Sequence, residues 1–128
     1  MGHVTTAKQY GIPADEIWSR IGDPGALAAW HPAVDSTELV DGGQRRINHI
    51  GAQQVVEPIV ARGDRHYTFR MSETPLPLQD FESTLRVQDD GPGGCVVQWE
   101  ATYEAAGVSD AEAGELVQGF FEAGLDAL

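Results

Sequence analysis

Alternating and helical spacings of apolar residues divide the chain into three zones. Residues 4 to 11 are Thr-rich and extended, the pattern of a strand. Pro13 then opens a helix with Asp15 and Glu16 in its first turn and Ile17, Trp18 and Ile21 on one side, and Gly22 ends it. Asp23-Pro24 restarts a second short helix as a cap followed by proline at the first position, with Leu27, Ala28 and Trp30 as its apolar side. His31-Pro32 stops it, because the residue before a proline is pushed out of the helical region.

From 33 to 105 turn signals recur at short intervals: Asp41-Gly42-Gly43, Gly51, Gly63-Asp64, Thr74-Pro75-Leu76-Pro77 and Asp89-Asp90-Gly91-Pro92-Gly93-Gly94. The β-rich runs between them predict about six antiparallel strands, or about seven with the first. Side chains alternate across a strand, so parity assigns the faces. In "HYTFRMS" Tyr67, Phe69 and Met71 share one side; in "DFESTLRVQ" the set is Phe81, Ser83, Leu85 and Val87; in "VVQWEATYE" it is Val97, Trp99, Ala101 and Tyr103. These sides are expected to face inward as a mostly apolar wall with a few hydroxyls.

The last segment returns to helix. Ser109 with Glu112 is a capping box, and Leu116, Val117, Phe120, Phe121, Leu125 and Leu128 fall at helical spacing. Gly114, Gly119 and Gly124 each cost this helix up to about 1 kcal/mol against alanine, so tertiary packing must supply its stability. The order of elements is an α+β layout: a curved antiparallel sheet of about seven strands gripping a long C-terminal helix, with two short helices after the first strand.

Composition narrows the partners. At 128 residues the chain is expected to be one domain with a single core. Its formal charge of −12, with Lys8 the only lysine and no basic residue after Arg86, repels phosphate backbones and anionic lipid surfaces, so nucleic acid is a poor partner. Cys95 is the only cysteine, which excludes an intrachain disulfide and makes the cytoplasm the natural default. No apolar run is long enough for membrane insertion. His3, His31, His49 and His66 are scattered, with no zinc or EF-hand spacing, and there is no phosphate-binding glycine loop or nucleophile elbow. Neither a metal nor a cofactor is expected.

The stretches "IPADEIWSRIGDPGALAAWHPAV", "GGQRR", "VVEPIV", "DRHYTFRMSETPLPLQDFESTLRV" and "VVQWEATYE", in this order and spacing, resemble the polyketide cyclase/dehydrase and lipid-transport family of the START-related, helix-grip superfamily known as SRPBCC. The resemblance runs from about residue 4 to 125. It implies a large cavity between sheet and C-terminal helix that takes a lipid, polyketide or other apolar small molecule; the chain itself is expected to be a monomer or homodimer. Some members catalyse reactions there and others only bind, so the fold does not settle the function.

Within that frame Trp30-His31-Pro32 reads as the corner between the second helix and the second strand, with Trp30 in the core or at the cavity rim and His31 structural. Trp30, Tyr67, Phe69, Met71, Phe81, Leu85, Trp99, Tyr103, Phe120 and Phe121 are the expected ligand contacts. In "QRRINHIGAQQVVEPIV" two hairpin registers are open. A three-residue loop Ile50-Gly51-Ala52 sets Arg45 opposite Glu57 with His49 on the same side, whereas a loop of Gly51-Ala52 sets Arg46 there. The family's arginine after the glycine turn and its glutamate on the next strand match Arg45 and Glu57, which favours the first. Arg45, Glu57 and His49 are therefore the expected acid/base and orienting groups, of use to a cyclase, aromatase or dehydratase and equally able to brace a binding protein. Pro58 implies an edge or a bulge nearby.

Overall fold

The structure is a computed structural model that describes residues 2–128. Strand β1 (Gly2–Tyr10) leads into helix α1 (Ala14–Ile21), a 3₁₀ turn (Pro24–Ala26) and the one-turn helix α2 (Leu27–Trp30). The chain then runs through β2 (Ser36–Val40), β3 (Arg45–Ile50), β4 (Gln53–Gly63), β5 (His66–Arg70), β6 (Leu78–Asp89) and β7 (Cys95–Ala105), and ends in helix α3 (Asp110–Asp126). Among the described residues these strands make one antiparallel sheet in the order β1-β7-β6-β5-β4-β3-β2. The first strand closes against the last, and the hairpin β3–β4 lies near the opposite end.

Local chemistry accounts for the element ends. Asp23 accepts from the Gly25 N–H at 2.9 Å and caps the 3₁₀ turn that Pro24 begins, while Ser109 accepts from the Glu112 N–H at 3.1 Å and caps α3. The parity assignments hold: Tyr67, Phe69, Phe81, Ser83, Leu85, Val87, Val97, Trp99, Ala101 and Tyr103 are all buried, and Met71, just past the end of β5, is half-buried against them. Even the inward hydroxyl is satisfied, since Ser83 accepts from Trp99 Nε1 at 3.0 Å and donates to the Glu100 carbonyl at 2.8 Å.

Helix α3 packs against β1 and β7. Phe121 lies flat on Trp99, ring centroids 4.4 Å apart at 12°, and Phe120 stacks on His31 at 4.0 Å. Gly124 makes the second contact possible, because a Cβ there would sit 2.6 Å from His31 Cδ2 and 3.0 Å from Trp30 Cζ3. The glycine that weakens the helix in isolation thus seats it on the Trp30-His31 corner.

One expectation is corrected. The β3–β4 hairpin turns on Gly51 and Ala52 alone, with Ile50 opposite Gln53, so Arg46 faces Glu57 and Arg45 faces Pro58. Gly51 takes φ 61° while Ala52 stays out of the positive-φ region, the pattern of a two-residue turn with glycine first. Closing the ladder one residue earlier than a three-residue loop sends Arg45 and His49 to the outer face. There Arg45 pairs with Asp41, and His49 Nε2 lies 3.1 Å from Glu38 Oε1. Pro58 is followed by the expected irregularity: the register of β4 against β5 shifts between Ile59 and Ala61. The strand pairs with β3 up to Pro58 and with β5 from Ile59.

Candidate functional site

Between the inner face of the sheet and α3 lies a cavity of about 340 Å³. Phe69, Met71, Leu78 and Phe81 line it from the sheet side, and Val117, Gly119, Phe120 and Phe121 from the helix. Leu27 and Ala33 approach from the α2 corner. Its polar side chains are Arg46, Asn48, Gln53 and Glu57, all carried by β3 and β4. The space therefore has an apolar body and one polar end.

The expected contact set divides in two. Phe69, Met71, Phe81, Phe120 and Phe121 line the cavity. Tyr67, Leu85, Trp99 and Tyr103 are buried and Trp30 is half-buried, but all five pack away from it: Trp30 lies against Trp99 with centroids 5.6 Å apart, Tyr103 stacks with Phe81 at 6.4 Å, and Leu85 is fully buried. Parity separates inner from outer face and carries no information on where along the inner face the packing opens.

At the polar end, alternation on β3 turns Arg46 and Asn48 inward together, and Glu57 meets them from β4. Arg46 is 0% and Glu57 4% exposed. Arg46 Nε donates to Glu57 Oε1 at 2.7 Å, and its Nη1 donates to the Pro24 carbonyl and to the Tyr67 hydroxyl, each at 3.0 Å. The guanidinium also lies over the Phe69 ring, 4.3 Å from its centroid. Asn48 Nδ2 donates to the same Glu57 oxygen at 2.7 Å, and Asn48 Oδ1 accepts from Thr37, whose hydroxyl in turn accepts from the Ala28 N–H. A chain of hydrogen bonds thus runs from the carboxylate back to α2.

The bonding leaves two atoms uncommitted. Glu57 Oε1 takes both donors and Oε2 none, and Arg46 Nη2 is buried without a protein acceptor. Burial pushes the Glu57 carboxyl above its ordinary value, against the opposing pull of Arg46 and Asn48. Burial also disfavours the Arg46 charge, but Tyr67 and Glu57 more than offset it, and the guanidinium stays protonated. Asn48 was absent from the sequence-based set, and Arg46 entered it only through the alternative register. Once that register is chosen, the spacing of two places Asn48 on the same face.

His31 is buried and structural. Its Nδ1 accepts from the Ala33 N–H at 3.1 Å, which leaves Nε2 to donate to the Phe120 carbonyl at 2.7 Å and so tie the α2 corner to α3. Burial lowers its pKa, partly opposed by the Phe120 carbonyl, and Arg46 adds to the lowering. Among the described residues no three His, Cys, Asp or Glu side chains gather in a way that could hold a metal ion. None of the described helices is long and apolar enough to cross a membrane.

Comparison with known proteins bears on this arrangement. Residues 1–128 match the family model described as polyketide cyclase / dehydrase and lipid transport. Comparison with curated proteins found no match. Among solved structures, the protein XoxI from Bacillus cereus superposes with a TM-score of 0.96 at 29% identity, over 99% of this chain and 92% of that one. A START superfamily protein from Mycobacterium smegmatis gives 0.85 at 13% identity, over 99% and 94%. The Zhui aromatase/cyclase from Streptomyces sp. R1128 gives 0.72 at 19%, over 98% and 87%. At such identities the last two likenesses show the fold alone.

Proposed function

Because the chain belongs to the polyketide cyclase / dehydrase and lipid transport family, we propose that it binds an apolar small molecule in the cavity between the sheet and α3. The observation that carries this reading is the lining: an apolar body closed by aromatic rings, with polar groups confined to the β3–β4 end. Such a site draws in a ligand by burial of apolar surface and orients it by a few polar contacts. Phe69, Phe81, Phe120 and Phe121 would grip the body of the ligand, and Arg46 and Glu57 its polar end. Native mass spectrometry of freshly purified protein tests the reading directly. A co-purifying apolar molecule that is lost in Phe120→Ala supports it, and failure of any apolar ligand or dye to bind removes it.

Glu57 favours a second reading, an enzyme of the cyclase, aromatase or dehydratase type. Its carboxyl is pushed by burial above the ordinary value at the cavity wall with one oxygen uncommitted, which favours a role in proton transfer. Arg46 beside it would stabilise an enolate oxygen as negative charge develops. The likeness in fold to an aromatase/cyclase is consistent with this reading. Under it, Glu57→Gln lowers turnover of a poly-β-ketone by about 10²-fold or more with little change in affinity. Unchanged turnover in that variant discards it.

A further inference from the structure

The charge balance at the polar end selects among apolar ligands. We propose that the cavity takes ligands whose polar head is uncharged and carries a hydrogen-bond donor, and that a carboxylic acid enters it only together with a proton. This rests on the reading of the cavity as a binding site.

Arg46 and Glu57 are both buried and bonded to each other, so the polar end is already neutral. A third charge brought beside them has no partner of its own, and an unpaired charge away from water is strongly disfavoured. A ligand ammonium would face Arg46, and a ligand carboxylate would face Glu57. Hydrogen-bond capacity narrows the head further. An ionised carboxylate only accepts, and Glu57 Oε2 has no protein donor, so a ligand group beside it must supply an N–H or O–H. Arg46 Nη2 is buried without a protein acceptor and is closed off from the cavity, so the donor placed beside Glu57 Oε2 decides the fit. A carboxamide, a protonated acid or an enol supplies that donor; an ester carries acceptors alone.

A carboxylate can be accommodated if it and Glu57 share one proton, since two carboxyl groups at one site do not both ionise. Burial already raises the Glu57 affinity for a proton, which favours that outcome. Binding of an acid then takes up one proton. Above the pKa values of both groups, affinity for the acid falls about tenfold for each unit of pH, while affinity for an amide stays level.

Displacement of Nile red from the full chain by decanamide, methyl decanoate and decanoate tests this. Decanamide is expected to bind about tenfold or more tightly than methyl decanoate, the effect of a donor that the ester lacks. Decanoate is expected to weaken with rising pH, with uptake of about one proton seen calorimetrically in buffers of different ionisation heat. Glu57→Gln removes the negative member of the pair and leaves Arg46 to receive an anion. Decanoate should then bind more tightly than decanamide and lose its pH dependence. If that variant does not fold, the pH profile of the wild type decides alone. Equal affinity for amide and ester, or decanoate binding without proton uptake, overturns the proposal while Nile red binding keeps the cavity reading intact. Failure of Nile red and all decyl compounds to bind removes both.

Discussion

Where β5, β6 and β7 face α3, the inward side chains are nearly all aromatic or aliphatic, and Trp99 fills the space by stacking on Phe121. Where β3 and β4 turn inward, the same depth of burial is given to Arg46, Asn48 and Glu57, and the cavity lies beside them. On β7 apolar surface asks only for contact, and the gap to α3 is filled there, whereas Phe69 and Phe81 on β5 and β6 form the apolar wall of the cavity. The charged end asks for more than contact. Each of its groups is fixed by named bonds, to the Pro24 carbonyl, to Tyr67 and through Asn48 to Thr37 and α2. One end of the sheet supplies stability, and the other keeps a defined polar surface beside open space.

The sharpest way to break this division is at the closed end. Trp99→Ala removes the ring that contacts Trp30, Phe120 and Phe121, and should destabilise the fold by about 3–5 kcal/mol in chemical denaturation, the usual cost of emptying a buried aromatic site. Phe81→Ala, at a wall that already borders a void, should fall below that range. Equal losses would show that the two ends pack alike.

At the polar end Glu57→Gln comes next. Glutamine keeps an oxygen for Arg46 Nε and leaves the guanidinium charge without its counter-ion, but it also removes a carboxylate whose ionisation burial disfavours, so the two effects oppose and the net loss is at most about 1 kcal/mol. Arg46→Met combined with Glu57→Leu removes both charges and should recover most of that loss. The pH dependence has a definite sign. Because the folded-state pKa of Glu57 is raised, its contribution is fully present below its ordinary 4.5 and is lost as pH rises through the raised value. Glu57→Gln should abolish that part of the pH–stability profile, read from denaturation midpoints across the acid range.

The closed end was far more legible in the sequence than the open one. Period-two patterns in β5, β6 and β7 assign inner positions correctly because apolar content and burial coincide there. The hairpin β3–β4 offers no such coincidence. Arg45 and Arg46 are chemically identical neighbours, and only the conformation of Gly51 decides which is enclosed. The outcome turns on one residue of loop length, which reverses every side chain of the strand. Asn48 follows from that choice and could not precede it. Nor does local pattern reveal that α3 seats through Gly124 on His31, a contact between segments far apart in the chain.

His31 offers a smaller effect with the opposite sign. It is buried and accepts at Nδ1, so protonation there sets a new N–H against the Ala33 N–H and breaks the corner. Its folded-state pKa lies below the ordinary 6.5, so the stability it contributes is present above that value and is lost as pH falls through the lowered one. Arg46, the charged group acting on it, sharpens the trend. Thermal midpoints should decline below about pH 6.5 in the wild type, and His31→Gln should flatten that decline. An unchanged slope in the variant would assign the acid sensitivity to other groups.

The smallest expected effects fall at Arg45 and His49, and they sharpen the comparison by contrast with their neighbours Arg46 and Asn48. Arg45 is nearly half exposed and pairs with Asp41 at the surface, where an ion pair contributes about 0–1 kcal/mol, and His49 faces Glu38 on the same outer side. Arg45→Ala and His49→Ala should each move stability by no more than about 0.5 kcal/mol, and neither should alter Nile red binding. Arg46→Ala strips the buried carboxylate of its partner and should cost about 3–5 kcal/mol, so two adjacent arginines should differ severalfold in denaturation midpoint shift. The difference follows from register alone, since residue type, neighbours in sequence and strand are shared. A large loss at Arg45 with a small one at Arg46 would mean that the hairpin closes through the three-residue loop and that the polar end of the cavity is built from the opposite face of β3.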